Sequence, residues 1–326
     1  MKQLLAWITN QMAGGGKGKV ARKIAARNKA SHIRTNGDTA VQPQSDNSYS
    51  SSEEPHMDTI FLSPSDMTQM KPFQLNEGQN SYPLIYLSPA GSISIVLSSH
   101  LIVESAVDHS IRVVNHGKYS AFVNGRGLAS SIVHPLGRIL HANNSVCGRF
   151  ISSNDKMVII GNTGALFTMD HLREAYMVSS GNKGTSAVSI DQLSFPKLAS
   201  DYTLLQFYTD SQTGSSFIPL CRDIVDNAIY DRRQDGELYM QINGMTIRHS
   251  ANGDVVIDAR PRHISCTADG NVHVRTAQID MSVQAAETAF IKYGMKRIHV
   301  SCSGMVVSDG TSCTSMDHFG RIIACS

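Results

Sequence analysis

The chain has 326 residues, 41% of them hydrophobic, with a formal net charge of +2. That length and apolar content can fill one large core or two ordinary ones, and a charge so near zero excludes both a polyanion mimic and a uniformly basic nucleic-acid binder. Six cysteines without a Cys-x-x-Cys pair exclude a disulfide scaffold, and no apolar run approaches the roughly 20 residues that span a bilayer. A soluble protein of a reducing, cytoplasmic compartment with no membrane partner is expected.

Taken from its start, the chain is first basic. Residues 1–37 carry Lys2, Lys17, Lys19, Arg22, Lys23, Arg27, Lys29 and Arg34, and the first carboxylate is Asp38. The run Gly14-Gly15-Gly16-Lys17-Gly18-Lys19 is not a phosphate-binding loop. Ala13 stands where its first glycine belongs, Val20 where its hydroxyl belongs, and no apolar strand precedes it. Three readings of the arm stay open: a solvated disordered segment, a mitochondrial presequence, and an arm that binds an acidic surface. For the third, the candidate binding residues are Lys17, Lys19, Arg22, Lys23, Arg27, Lys29 and Arg34. Residues 38–83 follow as a polar linker and lead-in: 39–56 is Ser, Gln, Asn and Pro-rich with too little apolar surface to order itself, and 57–82 is a mixed, loosely packed lead-in interrupted by Pro64, Pro72 and Pro83.

From residue 84 short apolar runs alternate with turn signals. Residues 84–87 and 92–97 flank Pro89-Ala90-Gly91, residues 111–114 and 120–123 flank Asn115-His116-Gly117, and further runs follow Asn124-Gly125 and His134-Pro135. Turn signals every 10 to 13 residues are the spacing of an antiparallel meander, hairpin array or sandwich. Short helices are expected at 170–176, at 219–230 behind Pro219, and at 282–293 ahead of Gly294, although Ala285-Ala286 fits a long connection equally well. The clearest meander is 238–283, where Asn243-Gly244, Asn252-Gly253 and Asp269-Gly270 supply positive-φ residues between alternating strands. The expected class is therefore mainly β with a few short helices behind a disordered basic arm. Its β regions are 84–215 and 216–326, or one continuous domain over 84–326.

Chemistry-bearing clusters are sparse. Cys302, Cys313, His318 and Cys325 lack the close ligand pair of a zinc site, and Ser315, Asp317 and His318 are too near in sequence to form a relay. No metal, catalytic residue or cofactor is expected. His134, His141, His249, His263, His273 and His299, with Arg248, Arg260, Arg262, Arg275 and Arg297, could build a basic surface on the meander or could simply be its wet face. His134-Pro135-Leu136-Gly137-Arg138-Ile139 and His318-Phe319-Gly320-Arg321-Ile322 suggest an internal repeat, for which hairpin chemistry is an equal explanation.

Asn115-His116-Gly117-Lys118, residues 134–138 and residues 315–321 resemble strings in the hairpin-rich proteins of animal sperm flagella and cilia. The resemblance covers 84–326 and transfers no functional residue. It implies a non-enzymatic cytoskeletal scaffold, with the basic arm suited to tubulin's acidic exterior. The alternative is a nucleic-acid-binding or virus coat-like protein, whose basic arm neutralises RNA while β-domains form a shell. An enzyme of unknown type stands third.

Overall fold

The computed structural model describes residues 68–72, 82–151, 154–179, 185–189 and 202–325. The seven candidate residues of the arm and the polar linker at 39–56 lie outside them. Among the described residues, thirteen strands from Thr68–Pro72 to Thr185–Ser189 make an N-terminal sheet and twelve from Ile229–Arg232 to Ile322–Cys325 make a C-terminal sheet. Within each sheet every strand pairs with its neighbours in sequence, and the pairs are antiparallel. This is the expected mainly-β meander.

Turn chemistry sets the register. Asn243-Gly244, at φ 49° and 68°, closes a two-residue hairpin between Leu238–Ile242 and Met245–His249, the geometry that matches strand twist. At the opposite strand ends Gly236, Gly253 and Gly270 close longer turns from φ 86° to 98°. These three glycines recur every 17 residues, so one repeat is one hairpin. The core obeys the same period: Met240, Ile257, Val274 and Ile291 alternate with Ile247, Ile264, Met281 and Ile298 along one unbroken cross-strand row. The likeness between 134–139 and 318–322 is not part of this repeat. His134 and Gly137 close a two-residue turn, whereas Asp317 and Arg321 close a three-residue one.

The two sheets pack on one another around one hydrophobic core, and Ile95, Val103, Val113 and Ile132 of the first belong to the same buried cluster as the row just named. Polar contacts join them at their rims. The amide Nδ2 of Asn243 donates to Ser105 Oγ over 2.8 Å and to the Ala106 carbonyl over 2.7 Å. Lys118 Nζ donates to the Ala268 carbonyl over 2.9 Å, and Asn154 Nδ2 to the His318 carbonyl over 2.9 Å. These contacts satisfy turn groups that two apolar faces alone would leave without partners.

Among the described residues between the sheets are two α-helices, α1 (Tyr202–Asp210) and α2 (Ile218–Asp226). Helix α1 covers the outer face of the N-terminal sheet, where Phe207 meets Phe122 edge-on at 6.3 Å, so that strand Tyr119–Val123 is buried on both sides. Gly91, at φ 69°, lies against the loop that leads into α2, and a Cβ there would fall 1.9 Å from the Gly214 carbonyl oxygen. Gly91→Ala is expected to cost about 2 kcal/mol from left-handed backbone strain alone, read as a lowered urea midpoint with an unchanged slope.

Three helical expectations need correction. Residues 170–173 form a turn and Glu174–Val178 a strand. The Pro219 helix ends at Asp226, capped by Asn227, so Ile229 and Tyr230 begin the C-terminal sheet. Residues 282–293 are a hairpin of Ile279–Gln284 and Thr288–Tyr293. Alternate residues Met281, Val283, Ala289 and Ile291 are buried, and this period-two burial overrides the helix propensity of Ala285-Ala286. Helix α1 was not expected from the sequence.

Candidate binding face

Once the C-terminal sheet commits one face to the core, its strand alternation turns the other to solvent. Arg248, His273, Phe290 and His299 share one outward cross-strand row, and Asp258, His263, Arg275, Asp280, Lys292 and Arg297 the next. Arg248, Arg275, Lys292, Arg297 and His299 are exposed, while His263, His273 and Phe290 are half-buried.

The charges on this face are unbalanced. Three carboxylates lie on it: Asp280 Oδ1 accepts from His273 Nε2 over 2.6 Å, Asp258 Oδ2 lies 3.8 Å from Arg260 Nε, and the exposed Asp231 ends the Arg248 row beyond Tyr239. Against them stand Arg248, Arg275, Lys292 and Arg297, with Arg260 at the adjoining turn, so the cations exceed the carboxylates by two. Burial first, and then the neighbouring His273, holds the His263 imidazole below its usual pKa. Across the cations runs a ladder of rings. His263 and His273 have centroids 6.2 Å apart, His273 and Phe290 5.9 Å, and Phe290 and His299 6.2 Å. His273 and Phe290 meet over a strand between them because that strand contributes only Ser282 to the row. Ser282 is 3% exposed, and its hydroxyl finds no hydrogen-bond partner among the described residues.

Of the residues singled out in the sequence, the fold brings together His263, His273, His299, Arg248, Arg275 and Arg297, with Arg260 at the adjoining turn. It separates the others. Arg262 turns inward and donates to the carbonyls of Ala259 and His109. His249 lies on the inward row, opposite Leu238 and Val255. His134 and His141 are buried in the N-terminal sheet. Phe290 and Lys292 were missed because 282–293 read as a helix; the alternation at 279–283 and 289–291 is the signal that would have placed them.

The remaining constellations fall apart or serve turns. Cys302 and His318 lie in turns at one end of the C-terminal sheet, while Cys313 begins a strand at the other end. Asp317 Oδ1 accepts the N–H groups of Phe319 and Arg321 at 2.9 and 2.8 Å, which commits this carboxylate to its own turn. Cys147 and Cys266 are buried, and desolvation pushes both thiols up to about 12, so they stay protonated at neutral pH. Among the described residues, no group of three or more His, Cys, Asp or Glu side chains could hold a metal, and no helix is long and apolar enough to cross a membrane.

Similar solved structures include the TCP10 domain of CPAP from Danio rerio in complex with a peptide of Danio rerio STIL. It is 9% identical, covers 72% of this chain and 98% of that one, and has a TM-score of 0.22. The same domain without the peptide is 10% identical over 74% and 98%, with a TM-score of 0.20. Apo AztD from Citrobacter koseri is 9% identical over 80% and 85%, at 0.13. No curated protein matches the chain. A family described as a domain of unknown function (DUF8796) matches residues 83–326.

Proposed function

We propose, for a chain that belongs to the DUF8796 family, a non-enzymatic role as an interaction scaffold for an acidic polymer. The observation that carries this reading is the outward face of the C-terminal sheet, where Arg248, Arg260, Arg275, Lys292 and Arg297 outnumber the three carboxylates Asp231, Asp258 and Asp280. A long hairpin stack suits such a role, because each added hairpin extends the same surface without altering its neighbours. The basic arm adds Lys17, Lys19, Arg22, Lys23, Arg27, Lys29 and Arg34 to the charge available to one partner. The resemblance to sperm-flagellum and cilium proteins makes a microtubule surface the first partner to test, in a cytoplasmic or cytoskeletal setting. For the coat-protein alternative, the consecutive strand order of both sheets lacks the Greek-key crossings of a jelly roll.

Cosedimentation with microtubules, and titration with polyglutamate and RNA, test the reading across a salt series. Binding to at least one of these polymers is expected to weaken steeply as salt rises. Glutamine at Lys17, Lys19, Arg22 and Lys23, or at Arg275, Lys292 and Arg297, should flatten that dependence. Salt-insensitive binding, or none to any of the three, overturns the proposal.

A further inference from the structure

We infer that the ring ladder turns this face into a platform for single-stranded nucleic acid, an inference that rests on the acidic-polymer reading above and names its partner. Charge alone does not distinguish a carboxylate-rich protein from a nucleic acid; the rings do. A carboxylate offers nothing that needs an aromatic surface, whereas an unpaired base has a π-face that stacks on Phe or His while nearby Lys and Arg hold the backbone phosphates. Here the two features lie in adjacent rows of one sheet. Phe290 and His299 are direct cross-strand partners, and Lys292 and Arg297 are the cross-strand pair in the next row. One base on the Phe290–His299 pair would therefore have two cations beside it for the flanking phosphates.

Three further observations fit this occupant. The ladder crosses the strands from Arg262–Cys266 to Lys296–Ser301, and strands repeat every 4.7–4.9 Å or so, which gives room for successive bases rather than one. The surface is an open sheet face, accessible to a flexible strand, and a duplex would hide the base faces that the rings require. Ser282, buried between His273 and Phe290 with its hydroxyl unpartnered, supplies a polar atom at the floor of the ladder.

The test uses the full chain and fluorescence anisotropy with a labelled oligouridine, with polyglutamate as the competing class. Measurements at two salt concentrations separate stacking from the electrostatic contribution of the arm. Phe290→Ala should weaken oligouridine binding about tenfold and leave polyglutamate binding unchanged, whereas Phe290→Tyr, which keeps the ring, should bind like the parent. Lys292→Gln and Arg297→Gln together should reduce the slope of log affinity against log salt by about 1.4, at about 0.7 for each single-strand phosphate that is no longer neutralised. Ultraviolet crosslinking should place the oligonucleotide on the peptide that contains Phe290. Matching circular dichroism of the variants guards against misfolding, and the tyrosine and glutamine variants keep the test decisive should Phe290→Ala fail to fold. If polyglutamate binds but oligouridine affinity ignores Phe290 and every crosslink maps to residues 1–37, this inference is overturned and the acidic-polymer reading stands. If neither polymer binds in a salt-dependent way, both are overturned.

Discussion

Arg112→Met should lower the unfolding free energy by about 3–5 kcal/mol, the cost of leaving a buried charge without its partner. Arg112 pairs with Glu104 on the neighbouring strand, and their side chains are only 7% and 15% exposed. Arg112 Nε also donates to Thr203 Oγ1 of α1 over 3.1 Å, and that hydroxyl donates to Ser120 Oγ over 2.8 Å. The cluster thus fastens α1 to the outer face of the N-terminal sheet beside the Phe122–Phe207 contact. Methionine keeps most of the volume but strands Glu104 in a desolvated site. A paired Arg112→Met, Glu104→Met substitution should recover most of the loss, because removing both charges also removes the desolvation cost. Urea titration of the two single variants and the double variant gives the coupling directly. A single Arg112→Met variant within 1 kcal/mol or so of the parent would mean that the pair remains hydrated.

Acid should destabilise the protein well above the carboxylate range, chiefly through His141. Its ring is fully buried between the sheets, tilted against Tyr293 at a centroid distance of 5.4 Å, and desolvation lowers its pKa to about 4. The folded state therefore binds the proton less readily than the unfolded chain. Stability is fully present above the ordinary histidine value near 6.5 and is lost as pH falls toward 4. That difference corresponds to about 3 kcal/mol. His134, His249 and His263 are also held low, burial being the largest cause for each, and act in the same direction. His134 has a visible reason, since its Nδ1 accepts the Leu136 N–H over 3.1 Å and protonation there would break the bond. His141→Phe, which keeps a ring against Tyr293 without a titrating group, should flatten the acid limb by most of that amount. Urea midpoints measured between pH 7 and pH 4 report it. An unchanged limb would assign the acid sensitivity to other groups.

Several features were legible because they depend on only a few neighbouring residues. Asn243-Gly244 accepts positive φ at both positions, so a tight hairpin follows whatever lies around it. The 17-residue recurrence of Gly236, Gly253 and Gly270 is present in the chain as well, although the turns stand out in the sequence and their period does not. The failures at 170–176 and 282–293 have a common cause. Short segments rich in helix formers look helical in isolation, yet sheet neighbours on both sides satisfy their backbone groups better. That error concealed Phe290 and Lys292, and with them the centre of the candidate face.

By itself the sequence determined the fold class, most hairpin turns, and the basic arm with its cations, because turn chemistry, alternation and charge are local. Only the tertiary structure decided which face of each strand is covered. Arg248 and Arg262 look equivalent in the sequence, but one is exposed on the outer row and the other turns inward to the His109 carbonyl. The reason is register: a one-residue offset sends a side chain to the opposite face of a strand, and which face is wet depends on a partner sheet more than a hundred residues away. Asn243 against Ser105 and Ala106, and His141 against Tyr293, are contacts of that kind, set by how two sheets meet rather than by any pattern along the chain.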